Sequence, residues 1–278
     1  MNIIPTAQSL RLTMLQRFGK AYTTDSYTTI NQKLAIRATA TIDVTKQHKL
    51  NLVIIGNGGH HYTTSPGPVT DYHVSTNTGL YSQIPIVMRK TNADLTPTQR
   101  EKYALRKILT VGSTTYYAYY AKRIDLSIYP IVNQIKTINT SGVVTNTVNY
   151  VPTSSELSPT PLVMGSVATT DKKYVGSYLT MTDFIFDEMD IAEIQNTATI
   201  LYGSISNAIV SEVGFCASQD ASISITNYDG STSTFTEADH TLLTDVSDGE
   251  FYNLATGVVS VNSSIVFGCT TDVKLATL

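Results

Sequence analysis

Three histidines and an aspartate in one short segment are the residues of this sequence best suited to metal chemistry. They are His60, His61, Asp71 and His73. Imidazole nitrogens and a carboxylate are ligands that zinc and similar transition metals accept, so a segment that folded back on itself could hold an ion. Adjacent histidines on an extended strand point in opposite directions, however, and the spacing does not match a helical HExxH site. The alternative is that these histidines make ordinary hydrogen bonds at an interface, and we expect neither a metal nor a cofactor.

A glycine-rich turn of sequence GNGG at residues 56–59 follows a predicted buried strand, which is where a nucleotide-binding loop would lie. The pattern departs from such a loop in its details. His61 occupies the position of the third glycine, no Lys-Ser or Lys-Thr pair follows, and Pro66 and Pro68 prevent a helix from starting there. The segment is therefore predicted to be a turn at the end of a strand.

The sequence contains residue types that hydrolases use, but it lacks a recognisable hydrolase motif. A G-x-S-x-G nucleophile turn is lacking, and His240 beside Asp239 is a pairing that most sequences offer. A group of acidic residues could be pictured as paired carboxylates for glycoside cleavage: Asp183, Asp187, Glu188, Asp190 and Glu193. Such a group is more typical of a helix N-terminus stabilised by the helix dipole. We predict that the protein is not an enzyme.

The longest run that favours extended structure is residues 101–133, which the pair Gly112-Ser113 divides into the two arms of a hairpin. Four tyrosines cluster at the start of its second arm. Alternation along a strand places Tyr117 and Tyr119 on one face, with Tyr116 and Tyr120 on the other. These pairs fit either a platform for stacking sugars or the packing of a core or an interface.

The elements around these residues are predicted from periodicity. Residues 6–19 read as an amphipathic helix with Leu10, Met14 and Phe18 on one stripe, which must pack on the protein's own sheet or on a neighbouring subunit. Alternating apolar residues predict a strand over 33–44, and an apolar run predicts a buried strand over 50–55. The loop that follows, to residue 81, is long for a compact domain, and such loops usually serve binding or assembly.

Further signals lie in the second half of the chain. They predict a hairpin over 135–150, a helix over 191–202 and a strand over 207–217, with a turn at Asp229-Gly230. We therefore expect a mainly β protein with a few short helices, of the α+β class, with an antiparallel β-sandwich-like core, long loops and an N-terminal amphipathic helix. The predicted organisation is a β-rich domain over 1–150, a Pro-containing connection over 151–173, and a second β-rich region over 174–278 that either shares the first core or forms its own.

Composition restricts the class of protein. Of 278 residues only 15% are charged, against about a quarter in an average soluble domain, and the net charge is −3. This charge predicts no nucleic-acid partner, and no apolar segment is long enough to suggest a membrane span. The N-terminus lacks the apolar run of a signal peptide, so we expect the protein to be made and assembled in the cytoplasm. Cys216 and Cys269 are expected to be free thiols, with a disulfide as the alternative.

Two stretches carry a resemblance to a known class of protein. They are IVSEVGF at 209–215 and the segment 94–125, in which a capped short helix leads into the Tyr-rich hairpin. Together they resemble structural proteins of tailed bacteriophages. The sequence has no collagen-like, coiled-coil or repeated β-helical shaft, which favours a compact baseplate, tail or neck component over a fibre.

The resemblance implies a virion protein that binds other virion proteins and copies of itself. The predicted interface residues are Leu10, Met14, Phe18, His60, His61, Tyr62, Tyr72, Tyr117 and Tyr119. The alternative function is a carbohydrate- or receptor-binding β module with a glycan partner, and a hydrolase is the less favoured third.

Overall fold

The computed structural model describes residues 2–4, 6–20, 30–35, 48–64, 67–77, 79–125, 127–128, 131–139, 141–161, 172–185, 188–219, 223–235, 243–244, 251–253, 259–260 and 266–273. Within these ranges, every helix is too short or too polar to cross a membrane.

Short helices and many strands make up the described part of the chain. The helices are α1 (Ala7–Arg17), α2 (Ile30–Lys33), α3 (Pro97–Arg100), α4 (Ser154–Leu157) and α5 (Glu188–Tyr202), with a 3-10 turn at Ile205–Asn207. The strands are β1 (Asn2–Ile4), β2 (Lys49–Gly56), β3 (His60–Tyr62), β4 (Pro68–Thr70), β5 (Gln83–Ile84), β6 (Val87–Lys90), β7 (Tyr103–Val111), β8 (Thr114–Arg123), β9 (Ile131–Ile138), β10 (Val144–Val148), β11 (Lys172–Ile185), β12 (Ile209–Val210), β13 (Glu212–Gln219), β14 (Ile223–Thr226), β15 (Thr232–Phe235), β16 (Leu243–Thr244), β17 (Phe251–Asn253), β18 (Val259–Ser260) and β19 (Val266–Val273).

The first of two compact units, residues 1–125 with 186–265, is built on a nine-stranded sheet. The main path of the sheet runs β1-β17-β13-β2-β8-β6, and β16, β5 and β7 pair with β13, β2 and β8. Strands β3 and β4 form a separate two-stranded sheet, and β14 and β15 form another. Every pairing in this unit is antiparallel.

Buried apolar runs explain why β2 and β8 lie at the centre. In β2 the side chains from Leu52 to Ile55 are fully buried, and β8 contributes Ala118 and Ala121. These strands supply five of the eleven buried residues of one core cluster, to which neighbouring strands add Leu105 and Met88. A strand covered on both faces reads as a continuous apolar run, as β2 does.

The second unit comprises residues 126–185 with 266–278. Its sheet is antiparallel, in the order β10-β9-β11-β19. The connection from β9 to β10 turns at Gly142, where a positive φ of 75° suits glycine.

The mainly β, α+β class predicted from the sequence is confirmed, and so are several local elements. The β7–β8 hairpin turns at Gly112, whose φ is +59°. Thr96 and Gln99 form the expected capping box, in which the Thr96 N–H donates to Gln99 Oε1 at 3.0 Å and Pro97 opens the helix. The arm that was expected to continue to residue 133 ends at Arg123 instead.

The predicted strand over 33–44 is wrong at its start, because Lys33 is the last residue of α2 and Ala35 has a positive φ of 52°. Residues 36–44 of that prediction lie outside the described part of the chain.

The compact units also differ from the predicted division at 151–173. Strand β13, from the predicted second region, pairs with β2 from the first over Glu212↔Gly56 to Ser218↔Lys49. Periodicity along the chain gives the strands but not their partners, so this shared sheet could not be read from the sequence.

Candidate functional site

A buried glutamate anchors the long loop that the sequence singled out. Glu212 is the first residue of β13 and its side chain is fully buried. Its Oε1 accepts from the backbone N–H of Tyr81 at 2.7 Å and lies 2.8 Å from His73 Nε2. Its Oε2 accepts from the N–H groups of Gly58 at 2.8 Å and Ser82 at 3.1 Å. One carboxylate therefore ties both ends of the loop to the central sheet.

The electrostatics of this contact favour the charged carboxylate. Burial alone would raise the pKa of Glu212, but the hydrogen bonds from His73 and from three backbone N–H groups outweigh it and hold that pKa below its usual value. The second ring nitrogen of His73, Nδ1, lies 3.3 Å from Asn77 Oδ1, and that oxygen also accepts from the Val74 N–H at 2.8 Å. The His73 ring thus contacts Glu212 through one nitrogen and Asn77 through the other, which joins loop residues 73–77 to the same network.

Close backbone approach explains the glycines at the start of the loop. A Cβ on Gly58 would lie 2.8 Å from the backbone nitrogen of Ser82, and one on Gly59 would lie 2.4 Å from the carbonyl oxygen of Ser211. The Gly58 N–H donates to the protein's own carboxylate at Glu212, where a phosphate-binding loop would offer such a group to a ligand. The glycine-rich segment is thus a tight turn at the end of a strand, as predicted.

The structure does not gather the candidate metal ligands. His60 Nδ1 lies 2.8 Å from Ser211 Oγ, and His61 Nδ1 lies 2.9 Å from Asp71 Oδ1 on the surface. His73 is buried against Glu212. Among the residues the structure describes, no three His, Cys, Asp or Glu side chains are grouped so that they could hold an ion. Alternation along β3 sends His60 and His61 to different partners, which is the physical reason.

Outward from this anchor, the loop presents a set of exposed apolar and aromatic side chains that we term the loop face: Tyr62, Val69, Tyr72, Val74 and Tyr81. Tyr62 is 66% exposed and Tyr72 is 56% exposed. The Tyr81 ring stacks on His73 with centroids 4.2 Å apart, and the Tyr81 hydroxyl donates to the Tyr72 carbonyl at 2.8 Å. These contacts hold the Tyr81 ring in place although it faces solvent.

Helix α1 lies beside the loop and differs from its predicted packing. The Ala7 N–H donates to the Ser75 carbonyl at 2.8 Å, which joins the start of the helix to the loop. The side chain that packs into the protein is Leu12, in a small cluster with Ala217 and Leu15. The predicted stripe is wrong as a core-facing stripe, because Met14 and Phe18 are exposed. The side chain of Leu10 lies outside the described part of the structure.

Two of the predicted interface tyrosines, Tyr117 and Tyr119, are buried. The Arg106 guanidinium lies 3.7 Å from the centroid of the Tyr117 ring, and the Tyr119 hydroxyl donates to Asp94 Oδ1 at 2.8 Å. Burial raises the pKa of Tyr119, and the charge of Asp94 raises it further. The core-packing alternative therefore holds for these rings, and their prediction as interface residues or as a sugar-stacking platform is wrong. Side chains from other segments pack against them, with the Tyr228 N–H also bonded to the Tyr117 hydroxyl, and single-strand alternation does not reveal this.

The acidic residues near α5 serve the fold. Asp190 lies in the first turn of the helix and accepts from the Tyr103 hydroxyl at 2.7 Å, and the same carboxylate pairs with the Lys122 ammonium. Glu193 pairs with Arg89. Burial raises the pKa of Glu193, although Arg89 opposes this. Both carboxylates attach the helix to the sheet, and the side chains of Asp183, Asp187 and Glu188 lie outside the described part.

Glu212 is the residue that the sequence reasoning missed. The feature that could have identified it is a single acidic residue inside the otherwise uncharged run IVSEVGFC. A charge in a buried strand is stable only when it is paired and hydrogen-bonded, so such a position points to a buried network. Cys216, four residues further along β13, is buried.

Comparison with known proteins identifies the family of this chain. No curated protein and no solved structure matches this chain. A family model matches residues 1–264, which include all but the last residue of the first unit and residues 126–185 of the second. The match extends across the loop face, α1 and Glu212. The chain belongs to the family described as Family of unknown function (DUF7208).

Proposed function

We propose that this protein is a structural component of a phage virion, assembled by protein–protein contacts into the tail, baseplate or neck, and that the loop face is a principal contact surface. The observation that carries the proposal is an exposed aromatic surface on a loop that a buried carboxylate holds rigid. Tyrosine supplies large contact area with a polar tip at low entropic cost, and rigid surfaces lose less freedom when they bind.

The chemistry of the loop face suits contact with a second copy of the same chain. In a two-fold contact the same patch meets itself, so an uncompensated charge would be repelled. The ionisable groups beside the loop face, His61 and Asp71, lie 2.9 Å from each other and hydrogen-bond to each other. The Asp71 carboxylate is thus engaged within the same copy, and the aromatic side chains of the loop face can dock on themselves.

Other supporting features lie on the same unit. Met14 and Phe18 are exposed on α1, and the start of that helix is bonded to the loop through Ser75. The low charged fraction of 15% is consistent with a surface that is largely covered by neighbours.

The alternatives have less support. The carbohydrate-binding alternative was expected to use Tyr117 and Tyr119, and both rings are buried. The hydrolase alternative was expected to use the histidines or the acidic residues. His60 contacts Ser211 and His73 contacts Glu212. Glu193 pairs with Arg89 and Asp190 pairs with Lys122, so these side chains make structural contacts.

Protein mass spectrometry of purified particles tests the virion assignment. Particles of the phage that carries this sequence should yield peptides of the chain in a fixed ratio to the major structural proteins. Recovery of the chain from the lysate alone, with none in the particles, would contradict the assignment.

A further inference from the structure

An open pocket of about 630 Å³ lies in the first unit, away from the loop face. Its walls come from the end of β6, the tip of the β7–β8 hairpin, α3 and the turn between β14 and β15. This volume falls within the range of roughly 300–1,000 Å³ that is usual for small-molecule sites. The volume of the pocket is therefore sufficient for a small-molecule ligand. The residues that line the pocket determine which class of ligand fits.

The walls of the pocket are joined by direct contacts. The Tyr228 N–H donates to the Tyr117 hydroxyl oxygen at 3.1 Å, which fixes the β14–β15 turn on β8. Arg106 stacks on Tyr117 and its Nη2 lies 3.4 Å from Asn227 Oδ1. The turn is closed internally, because Asp229 Oδ1 accepts from the N–H and the hydroxyl of Ser231 at 3.0 and 2.6 Å. The pocket is thus formed before any ligand arrives.

The charges in the lining favour an anionic group. The cationic side chains are Lys90, Arg100 and Arg106, and the acidic ones are Asp94 and Asp229, which gives a local excess of one positive charge in a chain of net charge −3. Asp94 faces both arginines, since its Oδ2 lies 3.6 Å from Arg100 Nη1 and 3.5 Å from Arg106 Nη2. One carboxylate shared by two guanidinium groups leaves one positive charge in excess. Lys90 is exposed at the end of β6, where an incoming anion would meet it.

The remaining lining favours a ligand rich in hydroxyl groups. Most of it consists of Ser, Thr and Asn side chains, which exchange hydrogen bonds with hydroxyls and offer little to an apolar molecule. Tyr228 is 59% exposed and presents a ring at the pocket. A ring of this kind packs against the apolar face of a sugar while its polar tip remains in water.

From these features we propose that the pocket between β6, the β7–β8 tip and the β14–β15 turn binds an acidic saccharide, a sugar that carries a carboxylate or a sulfate. Lys90 and the arginines receive the anionic group, the Ser, Thr and Asn side chains bond the hydroxyls, and Tyr228 covers one face of the ring. This site is separate from the loop face and does not depend on the assembly proposal.

The test is an array of neutral, carboxylated and sulfated oligosaccharides probed with the full chain, followed by titration of the best-bound sugar. We expect capture of acidic sugars, with affinity reduced about tenfold or more by Tyr228→Ala and by Lys90→Ala, and weaker binding at high salt. Matched controls are Tyr202→Ala and Lys136→Ala, exposed residues of the same types outside the pocket, which should leave the affinity unchanged.

Several outcomes would overturn the proposal. They are no captured sugar on the array, equal capture of neutral and acidic sugars, or acidic capture that both pocket variants leave intact. Tyr228 and Lys90 are exposed, so both variants should keep the melting temperature of the wild type and report on binding alone.

Discussion

At the scale of single residues, Glu212 connects the fold to the proposed function. A buried carboxylate is costly in isolation, and this one is accommodated because four donors converge on its two oxygens, from His73, Tyr81, Gly58 and Ser82. The donors all belong to the loop or its flanks. The geometry of the loop face therefore depends on one side chain that lies behind it.

Replacement of that side chain is the first prediction. Glu212→Gln removes the charge and places an amide NH₂ where N–H donors point, so it should lower the free energy of unfolding by about 3 kcal/mol. Urea denaturation followed by circular dichroism measures this. Glu101→Gln, at an exposed carboxylate, should change stability by less than about 0.5 kcal/mol, and equal effects of the two variants would contradict the role given to Glu212.

The pH dependence of that difference is the second prediction. The folded-state pKa of Glu212 lies below its ordinary value of 4.5, so its stabilising contribution is fully present above that pH and is lost as the pH falls toward the folded-state pKa. The stability gap between wild type and Glu212→Gln should be constant near neutrality and should shrink below about pH 4.5. A gap that keeps its full size in acid would show that the charge of Glu212 is not what stabilises the loop.

At the scale of elements, α5 is docked on the sheet by polar contacts as well as by its apolar side chains. Ile194 and Ala198 are buried beneath it, and Asp190 and Glu193 pair with cations of the sheet. Asn196 Nδ2 also donates to the carbonyl of Met88 in β6 at 3.1 Å. Because a helix dipole favours acidic residues in the first turn, the helix could be predicted from the sequence. The partners of its carboxylates lie far along the chain and could not be predicted.

The third prediction concerns this docking. Asp190→Asn leaves the volume intact but removes the charge that faces Lys122, and it should destabilise the protein by about 3 kcal/mol or more. Tyr103→Phe, which deletes only the hydroxyl donated to Asp190, should cost about 1 kcal/mol. Thr199→Ala, on the exposed side of the same helix, serves as the control in thermal denaturation. If Asp190→Asn behaved like Thr199→Ala, the buried pair would not be holding α5.

At the scale of the whole molecule, the features predicted correctly from the sequence are those that depend on residues close together in the chain. The capped turn at Thr96, the hairpin at Gly112 and the end of α5 before Gly203 depend on neighbouring residues, and all were predictable. The partners of each strand depend on residues far along the chain. The pairing of β2 with β13 joins segments more than 150 positions apart, as Gly56↔Glu212 illustrates, and no local pattern encodes it.

The same limit applies to the candidate site. The long loop with Tyr62 and Tyr72 was predicted as a contact region, and both side chains are exposed. Tyr117 and Tyr119 were predicted beside them, but they are buried because Arg106 and the β14–β15 turn contact Tyr117 and Asp94 contacts Tyr119. Exposure of a strand residue depends on what packs over the sheet, which explains this error.

The fourth prediction separates the two roles of the N-terminal segment. Deletion of residues 1–19 would remove β1, which pairs with β17, and Leu12, which is buried, so it should lower the melting temperature by several degrees or more. Met14→Ser with Phe18→Ser alters only exposed side chains and should leave the melting temperature unchanged while weakening assembly. Equal loss of stability from both changes would contradict the exposed position of Met14 and Phe18.

The most direct test of the central claim is the mass in solution, measured by light scattering, of the wild type and of a Tyr62→Ser, Tyr72→Ser double variant. A control with Val151→Ser and Leu157→Ser changes exposed apolar residues of the second unit. The account predicts a defined oligomer of the 30.3 kDa chain for the wild type and the control, unaffected by EDTA, and a monomer for the loop-face variant. A monomeric wild type, or an oligomer that survives both tyrosine substitutions, would contradict it.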